Sequence, residues 1–306
     1  MLGSSQDDNY RKKDVKMTEL RCLPFLDSEY RAVTARRLLD IDRDIARNLG
    51  HSAVEAIERG VFETPSGRLI DWSEQVMRAT SLRRSIPPSD PVLLPSSPDI
   101  ESTSVQVVNA TTMQAAYGLV CEGERPAVLN FANGISPGGG FLHGSRAQEE
   151  VLCRSSALYA TLKGDQMYAH HLERPTPDST DWVIWSPEVP VFRDDAGVAL
   201  EQTWMIDVIT SAAPVAQRVG QPLSGDLLKQ RIHRVLTIAA AEGSTTLVLG
   251  AWGCGAFGND PVRTARDFRS ALENEFGGWF TRVVFAITDW SSDRRVFGPF
   301  RDVFSA

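Results

Sequence analysis

The sequence of 306 residues has little cysteine and little histidine. Its four cysteines, Cys22, Cys121, Cys153 and Cys254, form no C-x-x-C pair, so neither a zinc site nor a disulfide framework is indicated and a reducing compartment fits. The five histidines show no H-E-x-x-H or comparable ligand spacing, and His170–His171 reads as a surface pair. A Cys153–His143 pair has the chemistry of a nucleophile and its base, but nothing in the sequence brings the two together. No apolar run approaches the roughly 18 residues that span a bilayer. Met1–Leu20 is polar and lacks the apolar core of a secretory signal; Arg11, Lys12, Lys13 and Lys16 stand there among acidic residues, and 1–20 reads as a disordered tail. Positive charge is also short. Lys and Arg number 32 against 39 Asp and Glu, a net charge of −7, which argues against affinity built on a basic face and against direct DNA binding. An anionic ligand would have to be held locally, by backbone N–H groups and helix N-termini.

What is present is a change of texture along the chain. Asp27 to Arg59 reads as helix, with Gly50 breaking or kinking it. Val61–Thr64 and Arg68–Ile70 flank Pro65–Gly67 as a hairpin, and a helix follows around Ser73–Thr80. The Pro- and Ser-rich segment Ile86–Ser102 reads as a connecting loop. From Thr103 strands and helices alternate. Val105–Val108, Ala127–Phe131, Trp182–Trp185, Thr203–Thr210, Thr245–Gly250 and Arg282–Ile287 read as strands, with a Pro-rich loop over Ser186–Arg193. Helices are expected over Thr111–Leu119, Glu149–Leu162, a stretch from Ser224 to Gly243, and one that Asp260 caps with Pro261 in its first turn. The pattern is that of an α/β layered domain, its sheet covered on both faces. The chain divides into the tail, a helical N-terminal extension and linker over 21–102, and a catalytic core over 103–306.

Two loops carry chemistry. The first follows the strand Ala127–Phe131 and contains Asn133, Gly138, Gly139 and Gly140; seven residues later stand Gln148, Glu149 and Glu150 at a helix start. Glycines let backbone approach a ligand closely, and adjacent carboxylates beyond such a loop suit acid–base chemistry. Taken alone, the two acids equally suit first-turn residues that complement a helix dipole. A helix N-terminus lowers a carboxylate's pKa whereas a general acid needs it raised, so desolvation and the neighbouring carboxylate must act the other way. The second loop, Gly253–Cys254–Gly255–Ala256–Phe257–Gly258, matches G-x-G-x-x-G between a strand and a helix and reads as a diphosphate cradle. A nicotinamide-dependent oxidoreductase would need an acidic residue roughly 20 residues on and further βαβ units. Only one clear strand remains, and Asp289 lies too far along.

At these loops the sequence resembles the poly(ADP-ribose) glycohydrolases, in particular their bacterial-type branch. The family signature, three glycines, six to eight residues and then Q-E-E, stands here as Gly138–Gly140 and Gln148–Glu150. Similarity continues through Leu152–Tyr159, Ser186–Arg193, Thr210–Pro214 and Leu249–Phe257. The resemblance implies a macrodomain-like three-layer α/β/α core with a mixed central sheet and an N-terminal helical extension. It implies hydrolysis of the ribose–ribose O-glycosidic bonds of poly(ADP-ribose) without metal or other cofactor, in reversal of ADP-ribosylation and in the DNA damage response. By position Glu150 matches the catalytic glutamate and Glu149 the group that holds ribose hydroxyls. Asn133 matches a terminal-ribose contact, and Gly253–Gly258 the diphosphate loop with Phe257 against the ligand. The implied partners are poly(ADP-ribose), ADP-ribose and ADP-ribosylated proteins, with no membrane. A monomer in the cytoplasm is expected, or in the nucleus for a eukaryotic source. Two alternatives stay open: a macrodomain that binds ADP-ribose without cleaving it, and a hydrolase of a mono-ADP-ribosyl linkage.

Overall fold

The protein is described from a computed structural model, over residues 19–96 and 100–305. Of the expected tail, 1–18 lies outside the described residues, while Glu19 and Leu20 open strand β1 (Glu19–Cys22). Next come helices α1 (Glu29–Leu39) and α2 (Arg43–Arg59), the hairpin β2 (Val61–Glu63) and β3 (Leu69–Asp71), helix α3 (Ser73–Leu82) and strand β4 (Arg84–Ile86). Beyond the Pro-rich connection stand β5 (Ser102–Val108), α4 (Thr112–Cys121) and β6 (Pro126–Phe131). Helices α5 (Gln148–Ser155), α6 (Leu158–Leu162) and α7 (Gln166–Leu172) precede strands β7 (Val183–Arg193) and β8 (Ala199–Ser211). The chain closes with α8 (Ala216–Val219), α9 (Leu223–Ala241), β9 (Thr246–Leu249), α10 (Pro261–Asn274), β10 (Arg282–Ala286) and α11 (Phe297–Val303). No helix among the described residues is long and apolar enough to cross a membrane.

One eight-stranded sheet runs in the order β1-β5-β10-β9-β6-β8-β7-β4. Neighbours are parallel from β1 to β8, and β7 and β4 are antiparallel additions at one edge. The macrodomain-like α/β/α layering with a mixed sheet is therefore present. Side chains of a strand alternate between faces, and the central strands are apolar on both. Leu247 and Leu249 of β9, with Val283 and Phe285 of β10, pack beneath Leu228, Ile232 and Leu236 of α9 and Phe268 of α10. Val248 and Val284, from the same strands, pack on the opposite face with Met113 of α4, Val151 and Leu152 of α5 and Met167 of α7.

The residues before 102 supply both outer strands: β1 pairs with β5, and β4 with β7. A satellite core of Phe62, Trp72 and Phe192 ties the hairpin and α2 to β7; the Trp72 and Phe192 rings lie 4.6 Å apart, and the Trp72 indole donates to Ala56 O at 3.1 Å.

Four local readings need correction. Helix 27–59 breaks at Asp40–Asp42, not at Gly50, because the Asp42 carboxylate caps a new helix by accepting from Asp44 N and Ile45 N. Gly50 sits inside α2, where a β-carbon would stand 2.5 Å from Phe141 O, so glycine here permits close packing on the 3₁₀ turn Phe141–His143. The helix expected over Glu149–Leu162 is interrupted at Ser156, which bridges to Val191 of β7 while its hydroxyl donates to Leu152 O. The expected loop Ser186–Arg193 is the body of β7, bulged between Ser186 and Val189. Pro187 falls within this irregularity, where a sheet tolerates proline, and Glu188, at φ 55°, sends its N–H to Asp207 Oδ1. Finally, Ser224 lies within α9 and does not cap it; its hydroxyl accepts from Gln221 Nε2.

Candidate active site

Because β5, β10, β9, β6 and β8 run parallel, their C-terminal ends meet at one edge of the sheet, where open α/β sheets bind ligands. A cavity of about 440 Å³ lies there. It is lined by residues following each of these strands: Thr111 to Met113 after β5, Phe131 of β6, Ala213 after β8, the glycine loop after β9, and Ile287, Thr288 and Trp290 after β10. Leu39 and Asp40 from the end of α1 close one side, and Arg146 bonds Asp40 at 2.9 Å across it.

The first loop is folded around the two glutamates. Glu149 and Glu150 occupy the first turn of α5 and are only 3% and 8% exposed. Glu149 accepts the N–H of Asn133 at 2.7 Å, that of Gly138, and the amide of Asn130 at 3.4 Å. Glu150 Oε1 accepts the N–H of Gly140 at 2.9 Å, whereas its buried Oε2 has no partner among the described residues. The Asn133 side chain accepts from Ile135 N and Ser136 N and so shapes the turn that presents its own N–H to Glu149. Gly139, at φ 59°, faces both acids: a β-carbon there would lie 3.0 Å from Glu149 Oε2 and closer still to Glu150. Gly139 thus serves contact with the carboxylates, and the N–H groups of Gly138, Gly139 and Gly140 are already engaged.

Gln148 stitches the loop to the sheet. Its carbonyl accepts from Phe131 N, and its amide donates to Leu129 O and Thr112 Oγ1, replacing a strand neighbour at the end of β6. It also lines the cavity, with Glu149 and Glu150 buried directly behind it in the chain. Burial pushes the Glu149 carboxyl up to about 8; its N–H donors pull it down, and the adjacent Glu150 pushes it up further. The conflict posed by the helix dipole is thus resolved at Glu149 by desolvation.

The second loop leaves its donors free. Gly253, Gly255, Ala256 and Phe257 line the cavity, and the N–H groups of Gly255, Ala256 and Phe257 meet no acceptor among the described residues. A β-carbon at Gly255 would point into open space. Asn259 ties the loop down, donating to Pro214 O and Gly253 O, and the Phe257 carbonyl accepts from Ala216 N. Cys254 and Gly258 do not line the cavity. Burial pushes the Cys254 thiol up to about 12, and Gly258 turns the chain at φ 69° into α10, which Asp260 caps as read.

The histidine reading is overturned in part. His170 is exposed, but His171 is buried behind the first loop. Its Nδ1 lies 3.0 Å from Gly134 O and its Nε2 2.7 Å from the Thr180 hydroxyl. Burial lowers its pKa to about 4. His143 is exposed and Cys153 buried, and burial raises the thiol well above its ordinary value, so the two form no nucleophile pair. The sequence reading missed Asp40, Arg146, Thr288 and Trp290. Of these only Trp290, an aromatic just past a parallel strand, carried a signal.

Solved structures resemble this arrangement over most of the chain. Poly(ADP-ribose) glycohydrolase from Thermomonospora curvata is 39% identical at a TM-score of 0.82, covering 85% of this chain and 99% of that one. The chain belongs to the poly(ADP-ribose) glycohydrolase family. The glycohydrolase is thus a glycosidase. The same Thermomonospora curvata enzyme bound to the inhibitor ADP-HPD is 40% identical at a TM-score of 0.79, with 85% and 99% covered. The Deinococcus radiodurans glycohydrolase in complex with ADP-ribose is 38% identical at 0.69, with 74% and 96% covered. The family model for the microbial-type PARG catalytic domain matches residues 50–194, which include the first loop and both glutamates. A search of curated proteins gives no match.

Proposed function

We propose that the protein hydrolyses the ribose–ribose O-glycosidic bonds of poly(ADP-ribose) and releases ADP-ribose, with Glu150 as general acid and base. One juxtaposition carries this reading. A buried carboxylate pair, held by backbone N–H groups, directly follows Gln148, which lines the same cavity as the Gly255–Phe257 turn with its free N–H groups. In this reading the turn takes the diphosphate. The apolar wall of Leu39, Met113, Ile287 and Trp290 takes the adenine, and Phe257 packs on the ligand between them. The cavity's volume lies within the range of small-molecule sites.

Glu150 has one oxygen fixed by Gly140 N and one without a partner, which suits a group that passes a proton. It protonates the departing 2′-oxygen as an oxocarbenium-like centre develops, then as a carboxylate removes a proton from the attacking water. Glu149, locked by two N–H groups and an amide, orients the ribose hydroxyls. Its proton at neutral pH limits repulsion between the adjacent acids. The ligand's own diphosphate stabilises the developing positive charge. Such a pair, adjacent on one helix, differs from the separated carboxylates of most glycosidases. Action as a monomer in the cytoplasm and ADP-ribosylated proteins as carriers of the chains belong to the same proposal.

The test is release of ADP-ribose from poly(ADP-ribose) by wild type and Glu150→Ala side by side. Loss of about 10³-fold or more in kcat is expected for removing a general acid–base that no other group replaces. Equal rates overturn the assignment of Glu150. Tight binding of ADP-ribose without release from chains by wild type replaces the enzyme with a binding module. Cleavage confined to singly modified proteins replaces it with a mono-ADP-ribosyl hydrolase.

A further inference from the structure

The turn that faces the proposed diphosphate has a fixed orientation, and a side chain outside the cavity supplies part of it. Gly258 N donates to Gly255 O at 3.0 Å, which closes a β-turn with Ala256 and Phe257 at its centre. In a trans peptide the C=O and the following N–H point in opposite directions. Each N–H that the turn offers is therefore set by whatever holds the carbonyl of the same peptide. The Gly255 carbonyl is held by Gly258 N inside the turn, which sends the Ala256 N–H away from the turn's interior. The Ala256 carbonyl accepts from Gln217 Nε2 at 3.3 Å, and no other donor reaches it among the described residues. Phe257 lines the cavity and Gln217 does not. The hold on this carbonyl thus directs the Phe257 N–H away from Gln217 and towards the ligand.

The central peptide of such a turn is the one that can rotate while the closing hydrogen bond stays made. Its rotation exchanges the type I and type II forms, and type II places the third residue at positive φ. The third residue here is Phe257, and neither it nor Ala256 has positive φ, so the type II form is absent. Rotated, the peptide would aim the Ala256 carbonyl, with its partial negative charge, at the place of the diphosphate. The side chain of Phe257 opposes that rotation on steric grounds. Gln217 opposes it independently, since only one orientation of the peptide meets its donor. Gly258 makes room for this contact: a β-carbon there would stand 2.3 Å from Gln217 Nε2 and 2.7 Å from its Cδ. The neighbouring backbone adds a second hold, with Ala216 N on the Phe257 carbonyl at 2.8 Å. We infer that Gln217 is a positioning residue for diphosphate binding, which keeps the Ala256 carbonyl out of the cavity and the Phe257 N–H turned into it. This role rests on the Gly255–Phe257 turn being the diphosphate site.

The experiment compares wild type with Gln217→Leu, which keeps the bulk of the side chain and removes the donor. Gln217 is exposed, so the substitution spares the core, and an unchanged Tm checks this. The Kd for ADP-ribose, measured by calorimetry, rises about tenfold, the scale of one hydrogen bond to a charged group. The Kd for adenosine, which lacks the diphosphate, stays near its wild-type value in an NMR chemical-shift titration. In the same spectra the Phe257 amide resonance moves in the free variant and responds less to ADP-ribose than in wild type. Wild-type affinity of Gln217→Leu for ADP-ribose overturns the inference. Equal losses for ADP-ribose and adenosine overturn it too, because they make Gln217 a general support of the pocket. Gly255→Ala, run in parallel, separates the two claims. Weakened ADP-ribose binding in it, with wild-type affinity in Gln217→Leu, removes only the role of Gln217; wild-type affinity in both removes the diphosphate from this turn.

Discussion

Gly139 stands so close to Glu150 that a β-carbon on it would lie 2.4 Å from the carboxylate Oε1. The glycine also sits at φ 59°, a conformation that costs an L-residue roughly 1–2 kcal/mol. Gly139→Ala therefore displaces the Glu150 carboxylate from the Gly140 N–H as well as straining the turn. A loss of about 10²-fold in kcat, with a modest fall in Tm, is expected from steady-state kinetics and thermal melting. Wild-type kcat in a folded Gly139→Ala protein would show that the acid does not need this placement.

Gly255 offers the opposite case. A β-carbon there meets nothing within the protein, and its φ lies outside the left-handed region. Gly255→Ala should leave Tm unchanged or raise it slightly. If the turn cradles diphosphate, the added methyl crowds the ligand, and the Kd for ADP-ribose rises by about tenfold or more. Unchanged affinity would move the diphosphate elsewhere.

Glu149 makes stability depend on pH. Its folded-state pKa of about 8 lies above the ordinary 4.5, so between those values the folded protein binds more protons than the unfolded chain. Stability therefore falls as pH rises through this window, by an amount on the order of a few kcal/mol. Glu149→Gln removes this slope. The Tm of the variant relative to wild type should climb between pH 5 and pH 8.5 in differential scanning calorimetry; a constant difference would contradict the burial argument.

His171 acts at the other end of the scale. Its pKa is lowered from 6.5 to about 4 in the fold, so the unfolded chain binds the extra proton in this window. Stability is present above the ordinary value and is lost as pH falls towards the lowered one. His171→Gln should lose stability at pH 7, where the links to Gly134 and Thr180 are made, yet show a shallower decline between pH 6.5 and pH 4.5. An equally steep decline in the variant would place the acid sensitivity elsewhere.

Much of this was legible in the sequence because local chemistry dictated it. Asp260 with Pro261 announced a capped helix, and the unbroken apolar run at Thr246–Leu249 announced a strand covered on both faces. The triple glycine before Gln148–Glu150 marked the site, but the reason lay hidden: Gly139 makes room for acids, and Gln148 substitutes for a strand neighbour. Readings failed where partners are distant in sequence. Ser156 breaks a helix to reach Val191, and β7 accepts Pro187 because a bulge and Asp207 absorb the irregularity.

The position of β10 between β5 and β9 fixes the order in which the molecule can be completed. Until residues 282–286 pair, β1 and β5 form a fragment separate from the larger sheet on β9. The wall that ends in Thr288 and Trp290 then has no place to stand. That wall thus depends on the strand pairing of greatest sequence separation in the sheet, the type of contact that forms slowly.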